Sequence, residues 1–528
     1  MRKATSGPPL ADVTVLRVGA SVASRLCART LSGRGALVHH ADDLATWYES
    51  PEARFCRPDI VLTSSDGEGA ASALAGVMSA AGSVVCDMST FGRTGSLRRA
   101  YLDDPDLQRY SSFATYTGFP GGQALCAPGY PIDCQSALYA AAGAIAGLLM
   151  RRRDGAGRMV DIARLDVAVN ALLTFLPASL AGRAQTRIGN RHPALAPWNI
   201  YPARDGWITI CAPTDRQWTR LSALIAADIP HDPELLATSQ NRLDNIEQLD
   251  ALIASWTQGK LTCLTALMDN GVPCGDIPAE QIRETVSPVD LPAGSSACAV
   301  DAYRLEGGPN PVAAPSPLKG VTVVEIGANT TAPLAAKHLG AQVIKVEAPG
   351  GDPARHGGIS HTDGNSVIFH LTNTDKCDIR LDLRSAAGQR DLGMLLKGAN
   401  AVDGLPVKTG ASICDLLGAQ MALVHVLART YRRPAASCQI DLSMHDRVVW
   451  MTAGANRIAE NLPGRRSHEG LLDPVQRSGT GACGSTTLSD VLSLPHVEHR
   501  GLVKQIGGGN RRLSVLETPC GYAVRRAT

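Results

Sequence analysis

No two of the fourteen cysteines stand in a CxxC spacing, so the chain offers no ready thiolate site for structural zinc. The opening MRKATSGPPLADV lacks the apolar core of a signal peptide. No apolar run reaches the roughly 18 residues that mark a membrane-spanning helix; the longest, Ala137 to Met150, has fourteen. The formal net charge is only +2, and the Lys and Arg residues are scattered, which argues against nucleic acid or an anionic membrane as partner. No GxGxxG dinucleotide fingerprint follows the first strand pattern, and no GxSxG nucleophile elbow points to a serine hydrolase. These absences lead us to expect a soluble cytoplasmic protein with reduced, mostly buried thiols and no bound metal.

A chain of 528 residues has room for two to four domains. Residues 12–18 and 35–39 read as buried parallel strands with a helix from about 23 to 31 between them. Short apolar runs at 59–63 and 83–87 follow in the same manner. Strands alternating with helices predict a doubly wound α/β sheet, a fold that takes ligands beyond the carboxyl ends of its strands.

The chain is organised around Gly129 to Asp166. A Gly/Pro turn delivers Asp133 to the start of a small-residue apolar helix, and Arg151 to Arg153 close that helix. A positive helix end stabilises an ionised carboxylate there, although an Asp in this place is commonly only an N-cap. The same arrangement recurs. In GASICDLLGAQMALVHVLARTYRRPAASCQIDLSMHD, Asp415 takes the place of Asp133, and Asp441 and Asp446 repeat the spacing of Asp161 and Asp166. LADVTVLRVGA from Leu10 is likewise echoed by LKGVTVVEIGA from Leu318. Repeats so far apart indicate a tandem duplication and not a solenoid.

Further along, helices are expected at 163–181, 216–227, 243–257 and 262–269, a strand at 206–211, and a turn at GVPCGDI. Residues 286–317 hold six prolines among Ser, Ala and Gly and read as a linker. The second copy opens with a strand at 321–326, a helix at 332–339 and a strand at 342–347. The Gly-rich turn PGGDPARHGG follows, then the loop and strand NTDKCDIRLDL. GACGSTT near Gly481 resembles the GVPCGDI turn, and the Gly run ending SLPHVEHRGLVKQIGGGN reads as a hairpin turn. The predicted organisation is a first copy over 1–200, its small domain over 201–285, a linker over 286–317, and a shortened second copy over 318–528.

In this order, PLKGVTVVEIG with QVIKVEAPGGDPAR, NTDKCDIRLDL, the two Asp helices, RIGNRHPALAPWNIYPARDGWI and SLPHVEHRGLV resemble the class III CoA-transferase superfamily. This CaiB/BaiF type includes formyl-CoA transferase, carnitine CoA-transferase and α-methylacyl-CoA racemase. The resemblance implies a Rossmann-like large domain with a smaller α/β domain, duplicated here as an intertwined pseudo-dimer within one chain. It implies acyl-CoA and carboxylic acid as substrates, with Asp133, and Asp415 in the second copy, as nucleophile. It places CoA over the turn that contains Ala328, Asn329 and Thr330, with Arg355 and Lys376 as phosphate partners. A lysine at 376 is as readily a solvated loop residue. Arg191 and His192 line the acyl or CoA channel or belong to a structural loop.

The departures from the family pattern are specific. The first copy's GASVASRLCART lacks the AGP-like turn, and its second strand ends HHADD instead of KVE. The second copy is short before Asp415 and has RRPAASCQ where the family has a TGRGQ-like turn. One competent site is therefore expected, not two. Two other readings stay open. One is an inactive CoA-binding or structural remnant. The other is a racemase, which needs a His about thirty residues ahead of the Asp, whereas no His occurs between His40 and His192. Pairing with a second copy of the chain is also left open.

Overall fold

The computed structural model describes residues 8–54, 57–64, 82–122, 124–127, 129–180, 186–204, 206–232, 234–260, 264–278, 322–327, 333, 341–356, 359–361, 363–373, 376–397, 401–403, 413–432, 450–451, 491–500, 503–506, 513–516 and 521–523. The expected linker, the 332–339 helix apart from Pro333, Asp441, Asp446 and GACGSTT lie outside these residues.

The fold is mixed α/β, built on two parallel sheets. In the first, β1 (Thr14–Val18) lies between β2 (Leu37–Ala41) and β3 (Ile60–Thr63), and the sheet continues through β4 (Val84–Ser89) and β5 (Arg158–Ala163). All of these neighbours pair in parallel. β3 and β4 are fully buried, as continuous apolar runs in parallel sheets should be. The expectation of a buried β2 is corrected: it is the edge strand, and only Ala41 is buried.

The second sheet repeats the local order. β9 (Thr322–Glu325) lies between β10 (Gln342–Glu347) and β12 (Ala401–Asp403), and β11 (Cys377–Arg380) flanks β10, all in parallel. β13 (Val503–Ile506) and β14 (Leu513–Leu516) form the expected antiparallel hairpin around the Gly run. β15 (Gly521–Ala523) then crosses back and pairs antiparallel with β5, so a strand from the second half completes the first half's sheet.

A third, antiparallel sheet of β6 (Trp198–Ala203), β7 (Gly206–Cys211) and β8 (Cys274–Pro278) carries its own apolar cluster, which includes Trp218, Ile253 and Trp256. The GVPCGDI segment is a turn only at Gly271, where φ is +63°; from Cys274 it is strand. Two long helices expected from periodicity are interrupted. Residues 164–180 divide into Arg164–Ala171 and Leu176–Leu180, and the 243–257 region divides at Asn245.

The acid-bearing helices form the centre. Pro131–Asp154 is 24 residues long, and every residue from Pro131 to Met150 is buried. Among the described residues it alone has the length and hydropathy to cross a membrane, but its apolar window lies wholly inside the protein. Its small residues explain how it packs. A Cβ on Gly147 would lie 2.6 Å from a methyl of Val84, so glycine lets the helix settle on β4. The helix also packs on Ile413–Arg432, whose Leu417, Met421, Val424 and Leu427 share one core with Ala137, Ala141 and Leu148. Ile132, Ile413 and Leu416 meet at one end of the pair, and the Arg152 guanidinium lies 3.4 Å from the Tyr431 ring centre at the other. The two helices therefore run in the same direction. Cys27, Cys86 and Cys134 are buried, whereas Cys126, Cys211 and Cys274 are half-buried and Cys377 is exposed, so fewer thiols are buried than expected.

Candidate active site

Asp133 is in the first turn of its helix, not the N-cap. Tyr130 takes the cap position in a left-handed conformation, φ 54°, and Pro131 pre-sets the helical φ that follows. The capping role that the sequence also allowed therefore does not describe this carboxylate. It is buried, 5% exposed, and its Oδ1 lies 2.6 Å from Nε of the buried Arg164. Arg164 opens the helix after β5 and is held by the Leu102 carbonyl, to which Nη1 donates at 2.9 Å.

A second acid stands behind the first. The Asp133 backbone N–H donates to Asp104 Oδ2 at 2.8 Å, and Gln108 Nε2 donates to Asp104 Oδ1 at 2.7 Å. Gln108 also fastens the chain ahead of the helix, accepting from Ala127 N at 2.8 Å and donating to its carbonyl at 3.0 Å. Asp104 is 1% exposed. Burial, and next the charge of Asp133, push its carboxyl up to about 7. Arg164, Asp104 and Gln108 were not singled out from the sequence. The run DIARLD holds Arg164 between the repeated acids Asp161 and Asp166, and that is the signal that could have found it.

Asp415 occupies the corresponding first turn of Ile413–Arg432 and is 3% exposed. Parallel packing brings both acids to the same end of the helix pair.

The remaining candidates fall into separate places. Ala328, Asn329 and Thr330 lie outside the described residues. Arg355 forms a two-pronged pair with Glu347, 2.9 and 2.7 Å, and lies 4.0 Å over the Phe369 ring. Lys376 donates to Glu325 and to the Pro333 carbonyl, both at 2.7 Å. The two are linked, because Glu347 Oε2 accepts from Asp352 N, Asp352 pairs with Lys345, and Lys345 pairs with Glu325. This largely buried chain of charged groups, in which two acids, Glu347 and Asp352, are joined through a backbone N–H, runs off the carboxyl ends of β9 and β10. Arg191 binds Glu247 and Asp250, with its Nε 2.7 Å from Asp250 Oδ2. His192 is buried and accepts from Ala194 N at 3.0 Å. Both line a cavity of about 350 Å³ with Thr174, Ile359 and Ile368. The cavity thus spans both halves, and Asp133 is not among its lining residues.

The second half also reaches the first through the Pro495–Arg500 helix. Arg500 pairs with Asp166 at 2.7 Å and Asp161 at 2.9 Å, and His496 Nε2 donates to the Phe91 carbonyl at 2.6 Å.

The model of CoA-transferase family III matches residues 83–290 and 318–403, together more than half of the chain. Among curated proteins, succinate–glutarate CoA-transferase of Agrobacterium fabrum is 30% identical over 200 residues, covering 37% of this chain and 49% of that protein. Succinyl-CoA–D-citramalate CoA-transferase of Chloroflexus aurantiacus is 35% identical over 202 residues, covering 37% and 50%. The chain thus spans about half the length of the curated relatives it matches. A CaiB/BaiF family protein from Brucella suis superposes with a TM-score of 0.42 at 24% identity, covering 52% of this chain and 85% of that one.

Proposed function

We propose, since this chain belongs to CoA-transferase family III, that it moves CoA from an acyl-CoA to a carboxylic acid through Asp133. The observation that carries the reading is the buried Asp133 carboxylate, paired at 2.6 Å with Arg164 in the first turn of the central helix. Held by a guanidinium and shielded from water, it is an ionised nucleophile. An Asp133 oxygen attacks the thioester carbonyl and CoA thiolate leaves, giving a mixed anhydride. The thiolate then attacks the Asp133 carbonyl, releasing the first carboxylate and leaving an aspartyl thioester. The acceptor carboxylate repeats the two steps in reverse and leaves as the new acyl-CoA, restoring Asp133.

Acylation removes the charge on Asp133, and with it a repulsion that holds the proton on Asp104. Burial, the larger cause of the raised value, remains, so acylation lowers the Asp104 carboxyl only in part.

In this reading the chain is a tandem pair. The first copy's large domain covers 1–200, its small domain 201–285, a linker 286–317 and the second copy 318–528. CoA lies along Ala328, Asn329 and Thr330, with its phosphates toward Arg355 and Lys376, and Arg191 and His192 stand on the acyl side. Asp415 serves as the nucleophile's structural twin.

Incubation with a panel of acyl-CoA thioesters, a hydroxylamine quench and peptide mass mapping tests this. A hydroxamate on Asp133 is expected, together with a loss of exchange of about three orders of magnitude or more in Asp133→Asn. A hydroxamate on Asp415 alone would move the site to the second copy. Failure of both residues to label in a protein that also fails to bind CoA would end the enzymatic reading.

A further inference from the structure

We infer that His361, Asp363 and His370 form a binding site for a divalent transition ion of the zinc type. The ligand atoms of the three side chains all lie within 4.8 Å of one another. His361 Nδ1 is 3.4 Å from Asp363 Oδ1, and His370 Nε2 is 3.0 Å from Oδ2 and 3.2 Å from Oδ1. Ligands at the usual 2.0–2.1 Å from a tetrahedral zinc stand about 3.3 Å apart. Both imidazole–carboxylate separations are close to that edge length, and the third edge, between the imidazoles, is within 4.8 Å.

A carboxylate needs only one imidazole to make an ion pair. Here two imidazoles converge on the same carboxylate with their rings edge to face, 5.2 Å between centres. Two imidazoles with one carboxylate suit zinc, cobalt or iron, whereas magnesium and calcium prefer oxygen throughout. Missing thiolate pairs speak against a cysteine-bound zinc and have no bearing on an imidazole site.

The surrounding chain holds the ligands in place. Asp363 accepts from Asn365 N at 3.0 Å and from its side chain at 3.1 Å, so the carboxylate is oriented from behind. Gly364, with φ +85°, lets the turn close, and His361 N donates to the Asn365 carbonyl at 2.7 Å. His370 comes from the Val367–Asn373 helix. A bound ion would therefore clip the turn to that helix. Ile359 and Ile368, on the same two segments, form part of the wall of the 350 Å³ cavity, so the clip would fix one side of it.

The full chain, stripped with a chelator and titrated with Co²⁺, tests the site. One equivalent giving the visible absorption of a four- or five-coordinate ion is expected, displaced by Zn²⁺ and lost in each of His361→Ala, Asp363→Asn and His370→Ala. No stoichiometric uptake, or uptake unchanged in all three variants, would overturn the assignment. A readout that needs no variant is residue-resolved modification by diethyl pyrocarbonate. Zn²⁺ should protect both His361 and His370, and equal modification with and without the ion would likewise overturn it.

Discussion

Burying two carboxylates beside one guanidinium leaves one of them without full compensation, and Asp104 is the one that holds its proton toward neutral pH. Its folded carboxyl titrates at about 7 against an ordinary 3.8. The raised value means that the folded state binds the extra proton, so this contribution to stability is complete below the ordinary value and is lost as pH rises through about 7. Asp104→Asn removes the titration. Its melting temperature relative to wild type should therefore rise by a few degrees between pH 5 and pH 8, measured by scanning calorimetry. An unchanged gap would show that Asp104 does not hold the proton. Asp133 was legible from the sequence because it sits at a punctuated helix start and is repeated at Asp415. Asp104 was not, because its partner is a backbone N–H 29 residues away, and such a contact leaves no mark on local spacing. Arg355 and Lys376 were legible as cations. Their engagement with Glu347 and Glu325 depends on strand register, which no spacing argument reaches.

The docking of the Pro495–Arg500 helix is governed by two glycines in the other half. Gly92 and Gly95 have φ of +78° and +87°, and a Cβ on either would run into Arg500 or His496 respectively. Gly95→Ala should cost about 1–3 kcal/mol from the left-handed backbone alone, with a further loss from expulsion of His496. Proteolysis near residue 495 and the thermal midpoint would both report it; a wild-type midpoint with unchanged cleavage would rule out this account. Burial, foremost, lowers the His496 ring to about 4. A lowered histidine stabilises the fold above its ordinary 6.5 and loses that contribution as pH falls toward 4. Acid should therefore release this helix early, which hydrogen exchange at Val497 would follow. Element types were readable because apolar periods and turn residues agree along β1, β3, β4 and the two acid helices. The breaks at 172–175 and Asn245 were missed because the apolar pattern continues across them.

The two halves of the molecule share one interior. Val323, Val343 and the 413–432 helix lie in the same apolar cluster as Leu26, Val84 and Ala141. Residues 1–317 and 318–528 made as separate chains should each be insoluble or molten, and co-expression should recover a folded pair, read by near-ultraviolet dichroism and gel filtration. Independent folding of either piece would show that the shared core is dispensable. The echo of Leu10 at Leu318 could be read as a sequence repeat, and the strands it marks, β1 and β9, each stand between two parallel neighbours. The crossing of β15 into the first sheet could not be read, because a three-residue strand carries no period of its own.

That crossing bears on how the protein is made. β5 leaves the ribosome long before Gly521–Ala523, so its outer backbone groups wait unpaired through synthesis of the whole second half. An open strand edge is a template for any passing strand. Synthesis interrupted after the first half would leave a fragment with an open strand edge at β5, not a smaller folded unit.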